Sequence, residues 1–128
     1  MAYQCADGCG YISSLRLAHM DIAARNVLVG EGNRLKLSNF GLTRAFDQGS
    51  NSYRLKERLK LSIKWTAAEA MKMKSFNEKS DVWSFGIVVW EVMSYGDFPY
   101  KMVPINQMPS FLEKGQSTTS PAPDELMK

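Results

Sequence analysis

The run Val82–Met93, "VWSFGIVVWEVM", is apolar on almost every side of a helical projection. A helix of that kind is expected to be buried on most sides rather than laid on a surface. Ser80 and Asp81 stand just before it as N-cap candidates. Trp83, Phe85 and Trp90 each carry a large apolar area, whose burial contributes about 1.5–3 kcal/mol per side chain. This is the predicted core helix, ended by Gly96 and Pro99 in "SYGDFP". A second helix is predicted over 2–13, with Cys5, Ala6, Cys9 and Ile12 near one face. Gly8 and Gly10 weaken it, each by about 1 kcal/mol against alanine. Between the two, "VLV" (27–29), "GEGN" and "RLKL" (34–37) predict a short β-hairpin. From Ser38 to Ser62 no period is sustained, which predicts a long loop, functional or disordered. Its basic run, Arg54, Lys56, Arg58 and Lys60, reads most simply as a solvated surface. "INQMPSFLEKG" allows one more short helix, and the polar, Pro-rich tail 116–128 is expected to be loose.

Composition narrows this only a little. With 128 residues, 45% of them hydrophobic and 23% charged, the chain reads as one globular domain or part of one. A net charge of +3 is too small to argue for nucleic acid as a partner. No apolar run approaches the roughly 18 residues of a membrane span, so no transmembrane segment is expected. The start, "MAYQCADGCGYISS", lacks the basic and apolar blocks of a secretory signal. Cys5 and Cys9 share a helical face without a second ligand pair, so two reduced thiols in an intracellular protein are expected rather than a zinc site.

The chemistry centres on "HMDIAARN", His19–Asn26. It brings an acid, a guanidinium and an amide together, the groups a loop handling phosphate and metal requires. Alone, it reads more simply as a loop whose polar side chains satisfy its own backbone. Three further motifs follow in order: "SNFGL" (38–42), "IKWTAAEA" (63–70) and "SDVWSFGIVVWEV" (80–92). Together the four resemble the catalytic loop, D-F-G and A-P-E signatures of a protein kinase. The resemblance runs from Ala2 to about Gly115 and is to the C-terminal lobe of a protein tyrosine kinase. "AARN" and the "KW" of Lys64 and Trp65 resemble the tyrosine-specific group. The run from Ser80 to Gly115 most resembles the C-terminal Src kinase subfamily, which are cytoplasmic, non-receptor signalling enzymes.

That resemblance implies a mainly α, kinase-like fold with a short hairpin, holding a partial domain at 1–115. It implies ATP and Mg²⁺ as cofactors and a protein substrate. It assigns Asp21 as the proton acceptor for a tyrosine hydroxyl, Arg25 as its charged neighbour, and Asn26 as a magnesium ligand. His19 becomes a hydrogen-bonded packing residue, and Phe40 and Gly41 complete the "NFG" turn. Lys64 and Trp65 fall in the substrate-binding segment, with Trp83 structural. In the family the residue matching Glu69 pairs with an arginine near the domain end, and this chain is expected to stop before that region. Asp81, otherwise a plain helix cap, is expected to bind the backbone of the catalytic loop. Tyr53 is either a regulatory phosphosite or an exposed loop tyrosine.

Three departures qualify the resemblance. Asn39 stands where the family carries the metal-binding aspartate, so the ligand keeps an oxygen and loses its charge. Met20 stands where an arginine would pair with a phosphorylated activation loop. Ala68 replaces the proline of A-P-E, and with it a fixed φ. Nor does a G-x-G-x-x-G loop or a V-A-I-K strand precede the catalytic loop. These features predict a truncated, catalytically impaired kinase domain that does not bind Mg²⁺-ATP by itself. The alternatives are a non-catalytic pseudokinase lobe that docks a protein partner, and a truncated product without a function.

Overall fold

The computed structural model describes residues 2–114; the predicted loose tail lies outside the described residues. The fold is mainly helical, with short antiparallel strand pairs. Helix α1 spans Ala2–Ser14 and leads into β1, Leu17–Ala18. The predicted hairpin is present: β2, Val27–Val29, pairs antiparallel with β3, Leu35–Leu37, in the register Val27↔Leu37. Its turn closes through Gly32 and Asn33, both with positive φ (68° and 59°). Glycine takes that conformation without steric penalty, and asparagine is among the side chains that tolerate it best. At Gly8 of α1 a Cβ would stand 3.2 Å from the Leu37 side chain. The glycine that weakens the helix therefore lets β3 lie close against it.

The stretch expected to be one long loop contains two strands whose partners lie far away in sequence. β4, Arg44–Ala45, pairs antiparallel with β1. β5, Tyr53–Arg54, pairs antiparallel with β6, Ser75–Phe76. Each is two residues long, too short for any period to show. Between β5 and β6 lie a 3₁₀ turn at Ile63–Trp65 and the short helix α2, Ala68–Met73. Ala68 is the first residue of α2, so the position is one where proline would be accommodated.

Helix α3 runs Glu78–Met93 and α4 runs Met108–Glu113 after a 3₁₀ turn at Ile105–Gln107. The start of α3 differs from expectation. Asn77, not Ser80 or Asp81, is the N-cap: its side chain accepts from the Ser80 N–H while the Ser80 hydroxyl accepts from the Asn77 N–H. This reciprocal capping box lengthens the helix and places Ser80 and Asp81 inside it. The burial of α3 is also less complete than its composition implies. Ile87, Val88 and Trp90 are buried, but Val82, Val89, Val92 and Met93 are exposed along one side.

Two cores flank α3. One gathers Ala18, Met20, Tyr53, Ala67, Ala70 and Phe76; the other gathers Ile87, Tyr100, Met108 and Leu112. Trp83 packs against both. Among the described residues, no helix is long and apolar enough to cross a membrane.

Candidate active site

The segment between β1 and β2 has few ladder partners for its backbone, so its N–H groups need other acceptors. Helix α3 supplies them from both ends. Near its start, Asp81 accepts from the His19 N–H at 2.8 Å through Oδ2 and from the Met20 N–H at 3.1 Å through Oδ1. These bonds hold Met20 at φ 71°, a left-handed conformation unusual for a side chain of its size. Burial raises the Asp81 pKa; the two N–H donors and the nearby histidine oppose the shift. Near the other end of α3, Glu91 Oε1 accepts from the Ala24 N–H at 3.0 Å and from the Trp65 indole at 2.7 Å.

His19 is fully buried and uses both ring nitrogens. Nδ1 accepts from the Asp21 N–H at 3.1 Å, which leaves Nε2 to donate to the Ser38 carbonyl at 3.0 Å. The ring also meets Phe40 edge-on at 5.1 Å. The histidine thus joins the loop before β2 to the turn after β3.

Asp21 is enclosed by donors. Oδ1 accepts from Arg25 at 2.9 Å and from the Ser62 hydroxyl at 2.8 Å, and Oδ2 accepts from Asn39 Nδ2 at 3.4 Å. Arg25 also donates to Ser62 Oγ at 2.6 Å and lies over the Trp65 ring, 4.6 Å from its centroid. Asn26 is buried and donates to the Asp21 carbonyl at 2.7 Å. Its Oδ1 accepts from Asn39 Nδ2 at 3.3 Å. Asn39 sits at φ 61° on an exposed turn, with Gly41 two residues on. A Cβ at Gly41 would come within 3.4 Å of Asn39 Oδ1.

Asp21, Arg25, Asn26 and Asn39 therefore converge. Trp65 lies against Arg25 and His19 holds the Asp21 N–H, whereas Lys64, Glu69 and Tyr53 lie elsewhere. Lys64 donates to the Tyr100 carbonyl at 2.6 Å, tying the 3₁₀ turn to the segment after α3. Glu69 is exposed and forms no ion pair among the described residues. Tyr53 is not an exposed loop tyrosine: it is 7% accessible, packed in the same core as Met20, with the Lys56 ammonium 4.5 Å from its ring centroid. Sequence reasoning missed Ser62 and Glu91. Nothing local marks Ser62. Glu91 did carry a signal, as the lone carboxylate within the apolar part of α3.

The arrangement can accept a proton at Asp21 and stabilise charge beside it through Arg25. It does not fit a hard divalent cation well. Magnesium favours anionic oxygen, yet the Asn39 amide turns N–H donors toward the two oxygens that would face the ion.

A family model described as protein tyrosine and serine/threonine kinase matches residues 1–128. The chain belongs to this kinase family. It is 44% identical over 119 residues to the epidermal growth factor receptor of Apis mellifera, covering 93% of this chain and 9% of that protein. It is 44% identical over 120 residues to the megakaryocyte-associated tyrosine-protein kinase of Mus musculus, covering 94% and 23%. It is 43% identical over 122 residues to the fibroblast growth factor receptor homolog 2 of Drosophila melanogaster, covering 94% and 12%. The kinase chain thus spans less than a quarter of the length of these relatives. Receptor kinases stand among them at the same level of identity, so the similarity is to tyrosine kinases broadly and not to the Src-directed subfamily in particular.

Proposed function

We propose that the chain is a tyrosine-kinase domain segment from the C-terminal lobe whose phosphoryl transfer is impaired at the metal end of the site. The family uses ATP and Mg²⁺ and acts on protein tyrosine; in this chain Asp21 would accept the hydroxyl proton and Arg25 would steady its carboxylate. The observation that carries the reading is the Asn39 amide, which bonds to Asp21 Oδ2 and Asn26 Oδ1. A donor with partial positive charge fills the gap that a cation would bridge, so the loop is satisfied without metal. Within that proposal, a place nearest the C-terminal Src kinase subfamily, and with it a cytoplasmic location, is supported only by the sequence of the run from Ser80 to Gly115.

The test is a thermal-shift titration of the purified chain with ATP, with and without Mg²⁺. Ligand at 100 times its dissociation constant stabilises by about 2.7 kcal/mol; no shift is expected. Asn39→Asp is expected to gain Mg²⁺ binding, read by calorimetry. Tyrosine phosphorylation of a peptide by the unmodified chain, lost in Asp21→Ala, would overturn the proposal.

A second reading, a non-catalytic lobe that docks a protein, is favoured by one observation. Phe98, Met102 and Ile105, between α3 and α4, are all largely exposed. Exposed apolar side chains so near in sequence serve as contact anchors where they form one patch. Loss of partner capture on changing Met102 and Ile105 to serine, with Asp21→Ala silent, would separate this reading from the first.

A further inference from the structure

Tyr95 is 99% exposed and sits at φ 58° immediately after the C-terminal cap of α3. A left-handed residue just past a helix end is a common cap conformation, so the exposure of Tyr95 rather than its φ distinguishes it. The backbone around it is fixed: the Tyr95 N–H donates to the Val92 carbonyl at 3.1 Å and the Gly96 N–H to the Glu91 carbonyl at 2.7 Å. These are the two bonds of a Schellman-type helix cap, which satisfies the last carbonyls of α3 and leaves the phenol in solvent at a defined point.

The other tyrosines with described side chains are less available. Tyr53 and Tyr100 are buried at 7% and 8%. Tyr11 is 66% exposed, but it lies within α1, which would have to unwind before the residue could enter another enzyme's cleft. Tyr95 needs only the two capping bonds of the last turn to open, the low-stability end of a helix. We propose that Tyr95 is a phosphorylation site, modified in trans by an active protein tyrosine kinase. The Tyr95 Oη attacks the γ-phosphorus of ATP, the bond to the β-phosphate oxygen breaks, ADP leaves, and the phenol proton passes to the modifying enzyme's base. The new dianion lies at a helix C-terminus, which repels it, and two residues from Asp97, whose charge is paired with Lys101. The proposal stands independently of whether this chain is itself active.

The experiment uses the whole chain carrying Asp21→Ala, an active tyrosine kinase catalytic domain of broad specificity, and Mg²⁺-ATP, with sites mapped by mass spectrometry over time. The initial rate at Tyr95 is expected to exceed that at Tyr11 and Tyr53 at least tenfold, and Tyr95→Phe to remove most of the incorporation. A peptide digest of the same chain is expected to lose this preference. Equal or slower labelling of Tyr95 than of Tyr11 in the folded chain overturns the proposal, as does a folded-chain pattern identical to that of the digest.

Discussion

At the scale of single residues, packing at position 20 differs from what an arginine there would allow. Met20 joins Tyr53 in one apolar core, where an arginine's charge would go unpaired. The segment around Tyr53 is thereby fastened by packing against Met20. Asp81 supports the same loop from below. Asn in its place offers one acceptor oxygen for two N–H donors, and its amide would face one of them. Asp81→Asn is therefore expected to destabilise the fold by about 1–3 kcal/mol, measured by urea unfolding at neutral pH. The pH dependence has a definite sign. Burial raises the folded-state pKa of Asp81, so the folded chain holds this proton more tightly than the unfolded chain. Its contribution falls as pH rises from the ordinary aspartate value, about 4, through the raised value. Asp47 and Asp97 act in the opposite sense. Hydrogen bonds from Lys56 and Lys101, respectively, lower their pKa values, so their contribution is lost as pH falls through the carboxylate range. Asp81→Asn is expected to remove the first slope and leave the second.

At the scale of elements, α3 organises the candidate site because its polar residues reach the loop between β1 and β2 at two points, Asp81 and Glu91. Its first turn depends on the Asn77–Ser80 box, so Asn77→Ala is expected to destabilise by about 1 kcal/mol. Gly86 gives the converse. It lies in the helix interior, is exposed, and a Cβ there would meet nothing within 4 Å. Gly86→Ala is therefore expected to stabilise by about 0.5–1 kcal/mol. Chemical denaturation of both variants checks the pair; a destabilised Gly86→Ala would mean that this face is covered in solution. The hairpin was legible from its residues because its pairing is local and its turn carries glycine and asparagine. The β1–β4 and β5–β6 pairs were not, because each joins two residues to a distant partner and leaves no repeating pattern.

At the scale of the whole molecule, the exposed side of α3 is the main unsettled surface. Val82, Val89, Val92 and Met93 are exposed there, beside an apolar cleft of about 280 Å³ that reaches Cys5, Val29, Leu35 and Phe85. Contiguous apolar surface of this kind drives association. The isolated chain is expected to self-associate with rising concentration and to bind an apolar dye. Val92→Lys is expected to reduce both without loss of helical circular dichroism. Sedimentation velocity across concentration measures the first; an unchanged distribution in the variant would place the contact elsewhere. Cys9, beside α3, is not expected to react readily: burial, with Asp81 and Cys5 nearby, pushes its thiol pKa up to about 12.

The sequence by itself determined the family, the order of the motifs, the hairpin and the existence of α1, α3 and α4. Those features rest on local period and on residue types at fixed spacing, which a chain carries before it folds. Only the tertiary structure decided that Asn77 starts α3, that one side of that helix faces outward, and that Tyr53 is enclosed while Tyr95 is presented. It also decided that Ser62 and Glu91 belong to the site, and that the Asn39 amide closes it between Asp21 and Asn26. Each of these depends on which distant backbone donors and apolar faces meet, and that is fixed by packing rather than by neighbours along the chain.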